Sequence, residues 1–354
     1  MVAPLDWGLG HATRCIPVIH GLMAGGYEVI LAAEGAQASL LQTEFPSLLC
    51  LPLEGYKVKY SKDPSLLAFT LLRQLPRLIK IIRRENRWLA DTIREHAIDL
   101  VISDNRYGLY TDKVPCVFIT HQLLIKAPFA WVENILQRIN YRYINRFTAC
   151  WVPDTEGEPN AAGILSHPRK LPAIPVHYMG LLSRFMQQTA ETRYDICILL
   201  SGPEPQRTVL ERKILSGIDK VPGKVLLVRG RPGSVEKIMV PVNVEVQNHL
   251  PQIQLQQALL QSNYIISRSG YTTVMELLSL QKRSLLIPTP GQTEQEYLAK
   301  RLHEQDLCYT VEQSHFHFER DLALARGFSY KNIQLAVCNS GHIAELLRAT
   351  LHST

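Results

Sequence analysis

"SRSGYTTVMELLSLQKRSLLIPTPGQTEQEYLAKRL", residues 267–302, runs a serine–glycine turn straight into a helix-length segment and sets one acid, Glu276, six positions past Gly270. A glycine turn that opens a helix offers backbone N–H groups and the positive end of the helix dipole, which together suit an anion such as a phosphate. Six residues of helix rise about 9 Å, a span that fits the distance from a diphosphate to a ribose. A carboxylate at that point accepts hydrogen bonds from ribose hydroxyls, as acids do in dinucleotide folds. The pattern points to a sugar nucleotide.

Outward from this stretch, short apolar runs alternate with helix-length segments along the whole chain. Expected strands in the first half are 27–33 ("YEVILAA"), 98–103 ("IDLVIS"), 115–120 ("PCVFIT") and 148–152 ("TACWV"). In the second half they are 195–200 ("DICILL"), 223–228 ("GKVLLV"), 242–246, 263–267 ("NYIIS") and 284–287 ("SLLI"). Runs of this length and apolarity, spaced by helices, are the signature of buried parallel strands in βαβ units. Residues 168–180 ("PRKLPAIPVHYMG"), with three prolines and a glycine, read as an interdomain linker. The expected fold class is therefore α/β, with two doubly wound, Rossmann-like domains at 1–178 and 179–354 facing a central cleft, where such sheets bind ligands at their carboxyl ends.

The totals agree with this reading. A length of 354 residues allows about two cores, and 46% hydrophobic with 20% charged residues describes a folded chain. The net charge of +6 permits nucleotides or lipid head groups as partners without demanding nucleic acid, and none is expected. Apolar runs are too short to cross a bilayer, and the chain starts without a charged n-region and apolar h-region, so no secretory leader is expected. Seven scattered cysteines with no CxxC or zinc-like spacing suit a cytoplasmic protein with reduced thiols.

Four groups of residues carry candidate chemistry. In "LDWGLGHATRC" (5–15), Gly8 and Gly10 make a turn before His11, and a helix is expected to begin near Ala12. A neutral imidazole there can take a proton from a hydroxyl; the alternative is a tight turn with an exposed histidine, and Arg14 reads equally as a solvated helix residue or a phosphate contact. "SDNRYG" (103–108) and "ITHQL" (119–123) follow strands and put Asp104 and His121 on the same rim, where a carboxylate can orient an imidazole. Asp104 reads equally as a loop cap and His121 as a satisfied buried histidine. "LLSGPEPQR" (199–207) reads as a second phosphate-sized turn at Ser201–Gly202, although Pro203 and Pro205 remove two N–H donors, or equally as a tight strand–helix connection. The fourth group is the opening stretch itself, Arg268 to Thr273 with Thr272 included, Glu276, and the polar cluster Gln292, Gln295 and Glu296. Acids in a first helical turn are also ordinary capping chemistry. No Asp-x-Asp pair, Walker loop or GxSxG elbow occurs, and His315 and His317 lack a third ligand, so no metal is expected.

These residues resemble the donor domain of GT-B fold glycosyltransferases, and most closely the bacterial N-acetylglucosaminyltransferase family that makes the lipid-linked peptidoglycan precursor. The resemblance rests on Ser269, Gly270, Thr273, Val274 and Glu276, followed by a proline loop and Gln295, Glu296 and Tyr297. It implies that Glu276 binds the ribose, Ser269 and Gly270 the diphosphate, and Gln295 the donor sugar. "NHLPQIQLQQALLQSNYIIS" resembles the segment that reads the base, with the backbone near His249 and Leu250 against uracil. "GLGH" corresponds to a Gly-Gly-His turn, and "ITHQL" to a loop near the acceptor. Glu296 stands where the family has a second glutamine, and "SGPEPQ" where it has Gly-Ser-Gln-Gly.

The resulting expectation is an inverting, metal-independent hexosyltransferase that uses a UDP-sugar, with His11 as base helped by Asp104, and with Asp104 or His121 as the base if His11 is only a turn residue. A UDP-sugar 2-epimerase or hydrolase of the same fold is the alternative enzyme, and a non-catalytic sugar-nucleotide-binding subunit the alternative of another class. Two basic, apolar stretches, 65–94 and 129–147, suggest a peripheral contact with an anionic membrane and a lipid-linked acceptor. Their plain alternative is a pair of core helices with solvated basic faces.

Overall fold

The computed structural model describes residues 1–57, 67–127 and 129–351. The chain divides into two compact units, one formed by Met1–Arg184 together with Leu335–Thr354, the other by Phe185–Gln334. This differs from the expected division at 178/179: the change of unit comes six residues later, and the C-terminal segment returns to the first unit.

In the first unit the elements are β1 (Val2–Pro4), α1 (Leu9–Ala24), β2 (Leu31–Ala33), α2 (Gly35–Glu44), β3 (Cys50–Pro52), α3 (Leu67–His96), β4 (Val101–Asp104), β5 (Cys116–Ile119), α4 (Ala130–Ile144), β6 (Ala149–Val152) and β7 (Val176–Tyr178). The seven strands form one sheet in the order β3-β2-β1-β4-β5-β6-β7, and every pairing is parallel. That order reverses direction at β1 and β4, which is where open α/β sheets place their ligands. β7 corrects the expected linker: Pro175 immediately precedes this edge strand, where a missing N–H costs nothing, and its carbonyl accepts from Cys150 N at 2.9 Å. The last helix, α10 (Ser340–Leu351), belongs here too. It lies so close to α1 that a Cβ on Gly21 would fall 2.3 Å from Ile343 Cδ1, and Trp151 Nε1 donates to Thr350 Oγ1 at 3.2 Å.

The second unit runs β8 (Tyr194–Leu199), α5 (Gln206–Leu215), β9 (Val225–Val228), β10 (Val244–Gln247), α6 (Gln252–Leu260), β11 (Ser262–Ser267), α7 (Tyr271–Ser279), β12 (Ser284–Leu286), α8 (Thr293–Glu304), β13 (Tyr309–Thr310) and α9 (Phe318–Arg326). Its six strands are ordered β10-β9-β8-β11-β12-β13, again all parallel. Side-chain alternation along β8 explains the two-sided core. Ile196 and Ile198 pack with Leu210 and Ile214 of α5 and Leu322 of α9. Cys197 packs on the other face with Leu259 of α6 and with Val274 and Leu277 of α7. All seven cysteines are free thiols, six of them buried. Among the described residues no helix is long and apolar enough to cross a membrane.

Candidate functional site

In the first unit the site residues are assembled by strand order. Gly8, at φ 77, caps α1, a conformation that favours glycine because it lacks a Cβ. The helix starts at Leu9 rather than near Ala12, so Gly10 and His11 are themselves helical. Arg14 falls three residues on, on the same helical face as His11. β4 is the sheet neighbour of β1, in register Pro4 with Asp104, which delivers the Asp104 carboxylate to that face. His121 follows β5, the next strand, two residues after Ile119.

Three of the expected residues therefore meet, and Arg14 joins them. His11 Nδ1 lies 2.9 Å from Asp104 Oδ2. Arg14 Nε reaches both carboxylate oxygens at 2.9 Å, and its Nη2 donates to Oδ1. The same Nη2 stands 2.8 Å from His11 Nδ1, while Nη1 stands 3.3 Å from His121 Nδ1. Asp104 is wholly buried and Arg14 almost so, at 3% exposure; this corrects the reading of Arg14 as a solvated helix residue. The His11 side chain keeps 15% of its surface, enough to meet a substrate. Burial, and then the Arg14 charge, hold the His11 imidazole below the usual histidine value, against an opposite pull from Asp104. Burial pushes Asp104 up, but Arg14 and His11 outweigh it and leave the carboxyl below its ordinary range. The group is an ionised carboxylate, a buried cation and two imidazoles.

The second unit presents a different chemistry at the carboxyl ends of β8, β11 and β12. β8 leads into Ser201 and Gly202, the latter at φ 101, just before α5. A Cβ on Gly202 would sit 3.5 Å from Thr289 Oγ1, so these two loops touch. β11 ends at Ser267, and Gly270 caps α7. Ser269 Oγ donates to the Gln295 carbonyl at 2.9 Å, which ties that turn to the first turn of α8. Glu276 is buried on α7 at 4% exposure, and Thr272 and Thr273 are half-buried in its first turn. Arg268 is buried and donates to four oxygens, the carbonyls of Ile287, Pro288 and Gln206 and the side chain of Gln313. All four are uncharged. Burial lowers the Arg268 pKa to about 10, so it stays cationic at neutral pH. A buried cation thus adjoins the Ser269–Gly270 turn in sequence and reaches the first residue of α5.

The remaining polar residues mostly shape loops. Gln295 Oε1 accepts from Thr289 N at 2.9 Å and Nε2 donates to Gln292 Oε1 at 2.5 Å. Glu296 accepts from Gly291 N at 2.9 Å. His249 and Leu250 lie on the link from β10 to α6, with Leu250 packed into the core. Sequence reading passed over Arg229, which bridges Glu211 of α5 at 2.5 Å and Asn248 at 3.0 Å and so pins that link to α5. Among the described residues no three His, Cys, Asp or Glu side chains cluster as metal ligands.

The two basic stretches separate. Residues 65 and 66 lie outside the described residues. From Arg77 onward, α3 buries Ile81, Ile82, Leu89 and Ile93 and exposes Arg77, Lys80, Arg83, Arg84, Arg87 and Arg94, an ordinary amphipathic helix. α4 differs: Trp131, Ile135 and Ile139, each one turn apart, are 64%, 46% and 39% exposed beside exposed Arg138 and Arg142.

Residues 225–324 match the model of the glycosyltransferase family 28 C-terminal domain. A Methanosarcina acetivorans protein named "Uncharacterized glycosyltransferase" is 26% identical over 326 residues, covering 84% of this chain and 79% of that protein. A Methanosarcina mazei protein of the same name is 25% identical over 319 residues, covering 84% and 82%. Among solved structures, the glycotransferase of kitacinnamycin aligns with a TM-score of 0.66 at 12% identity, over 99% of this chain and 94% of that one. The glycosyltransferase VinC in complex with DTDP aligns at 0.59 and 14%, over 99% and 94%. MurG of Acinetobacter baumannii aligns at 0.57 and 14%, over 99% and 98%. At these identities the structural likenesses establish the fold, two parallel sheets flanked by helices. The chain is a glycosyltransferase of the GT-B fold, and its residues 225–324 are similar to the family 28 C-terminal domain.

Proposed function

We propose that this glycosyltransferase moves a hexose or N-acetylhexosamine from a UDP-sugar to an acceptor hydroxyl with inversion at the anomeric carbon. The observation that carries the reading is the Ser269–Gly270 turn opening α7 at the end of β11, with Glu276 buried on that helix. In this reading the α5 and α7 N-termini receive the departing diphosphate, Arg268 adds positive charge beneath them, and Glu276 accepts from the ribose hydroxyls. Gln292, Gln295 and Glu296 border the sugar. The solved structure of VinC holds DTDP, which supports a nucleoside diphosphate as the donor's leaving group.

In the first unit His11 Nε2 takes the acceptor hydroxyl's proton as that oxygen attacks C1 from the side opposite the diphosphate. The C1–O bond to the diphosphate breaks with its electron pair, which inverts the centre. No step of this scheme calls for a divalent cation. The α4 stripe of Trp131, Ile135 and Ile139 with Arg138 and Arg142 suits the inner face of an anionic membrane, so the acceptor proposed is lipid-linked and the location cytoplasmic.

The test is UDP release from a panel of UDP- and dTDP-sugars, with and without lipid-linked and soluble acceptors, in the presence of a chelator. Acceptor-dependent release of UDP, and a product of inverted anomeric configuration by NMR, are expected. Release without any acceptor indicates a hydrolase, and stable binding without release indicates a non-catalytic subunit.

A further inference from the structure

Thr289, in the loop from β12 to α8, is 2% exposed, and its Oγ1 has no hydrogen-bond partner among the described residues. Its main chain is well held. The Thr289 N–H donates to Gln295 Oε1 at 2.9 Å, and the Thr289 carbonyl accepts from Gln292 N at 3.1 Å. The carbonyl of Pro288, just before it, accepts from Arg268 Nη1 at 3.1 Å. A buried hydroxyl left without a partner opposes folding. Valine has the same shape and no such cost, so a threonine here points to a ligand that the hydroxyl meets.

The hydroxyl faces the Gly202 turn. A Cβ built on Gly202 would lie 3.5 Å from Thr289 Oγ1, and apart from the glycine's own chain neighbours no other atom of the described residues comes within 4 Å of that point. Gly202 itself is exposed. The side of the turn that carries no side chain is therefore open, with one hydroxyl at its floor. That floor continues to the other turn, because Gln295, bonded to Thr289 N, also has its Nε2 3.9 Å from the position of a Cβ on Gly270. Thr289 and Gln295 thus span the starts of α5 and α7.

The start of α5 has few donors of its own. Pro203 and Pro205 have no N–H, Arg207 N donates to the Pro203 carbonyl at 3.1 Å, and Thr208 N donates to Glu204 Oε2 at 3.2 Å. Four of the six backbone positions from 203 to 208 therefore have no N–H to offer a ligand. Burial pushes the Glu204 carboxyl up, but bonds from Thr208 and Arg207 outweigh it and hold the group below its ordinary range. The helix is capped by an anion of its own, and a phosphate at this turn needs a donor from elsewhere.

We propose that Thr289 is a donor-binding residue, whose hydroxyl donates a hydrogen bond to the diphosphate of the sugar nucleotide at the Gly202 turn, in place of the backbone N–H groups that α5 lacks. This rests on the reading of the second unit as a nucleoside-diphosphate site. It assigns the β12–α8 loop a direct contact with the leaving group.

The experiment is titration calorimetry of UDP, dTDP and uridine into the wild type, Thr289→Val and Thr289→Ser, with thermal melts of each protein alone. Thr289→Val should weaken UDP by about tenfold, the share of a charge-assisted hydrogen bond, and leave uridine unchanged. Its Tm without ligand should equal or exceed that of the wild type, since the valine buries no unpaired hydroxyl. Thr289→Ser should restore most of the UDP affinity. Undiminished UDP affinity in Thr289→Val would overturn the proposal, as would an equal loss for uridine, which has no phosphate. If the valine variant does not fold, Thr289→Ala against Thr289→Ser decides in the same way. A wild type that binds dTDP and not UDP would remove the UDP reading alone: a tenfold loss of dTDP in Thr289→Val would still uphold the hydroxyl contact, and no loss would overturn it.

Discussion

Asp104→Asn exchanges one oxygen for an NH2 and leaves the shape of the first unit's site almost unchanged, yet it removes the counter-charge of a buried arginine. Arg14 keeps 3% of its surface and Asp104 none, so water cannot take over the lost partner. Breaking a buried pair in this way costs about 3–5 kcal/mol. For a unit of roughly 200 residues, each kcal/mol lowers Tm by about 2–4 °C, which makes the expected fall about 6–20 °C. The pH dependence follows from the depressed Asp104 pKa. A carboxyl whose folded pKa lies below its unfolded value of about 3.9 stabilises above that value, and the contribution is lost as pH falls through the folded pKa. Asparagine does not titrate, so the stability gap between the two proteins should be full at pH 7 and close as pH drops below about 4. Urea unfolding followed by circular dichroism, run on both proteins from pH 7 down to the lowest pH at which they fold, measures the gap. A gap under about 1 kcal/mol at pH 7, the size of a surface pair, would refute the reasoning. So would one that stays constant into acid.

His11→Ala should lower turnover by about a hundredfold or more, the usual share of a general base, while leaving UDP affinity unchanged in titration calorimetry. Glu276→Ala should weaken UDP binding by roughly tenfold or more, from the loss of charge-assisted bonds of about 1.5–3 kcal/mol; unchanged affinity would remove it from the donor site. Gly202→Ala places a Cβ on a backbone at φ 101, a strain of about 1–3 kcal/mol, and should lower both Tm and the thermal shift that UDP produces. Sedimentation with anionic vesicles should bring down the protein at low salt and release it at high salt, with Trp131→Ser and Ile135→Ser each weakening it; binding indifferent to lipid charge would favour a soluble acceptor.

The pattern that reveals parallel strands was readable because buried strands must be apolar throughout, and each of the nine expected strands overlaps an observed one. What was missing from the expected strands were β1, β3, β7 and β13, two or three residues each, too short to show a period, with β7 hidden behind Pro172 and Pro175. The Ser269–Gly270 turn before α7 was legible as a helix start, because small and polar residues are favoured at that position. Arg14 was not legible as a site residue. Its spacing from His11 is visible, but its burial depends on Asp104 and His121, which come from strands 90 and 107 residues away. The return of the C-terminal segment was likewise unreadable, since an amphipathic helix does not state which core it covers.

That return sets an order of events during synthesis. The second unit, Phe185–Gln334, is contiguous and can close as soon as it is made. The first unit cannot, because the helix that covers α1 at Gly21 and meets Trp151 through Thr350 comes after it. At about 5–20 residues per second, the intervening 150 residues take about 8–30 s. For that interval the first unit's sheet exists without its last covering helix, and the flank of α1 around Gly21 is open to chaperones or to another nascent copy. The unit that begins first is the one that finishes last.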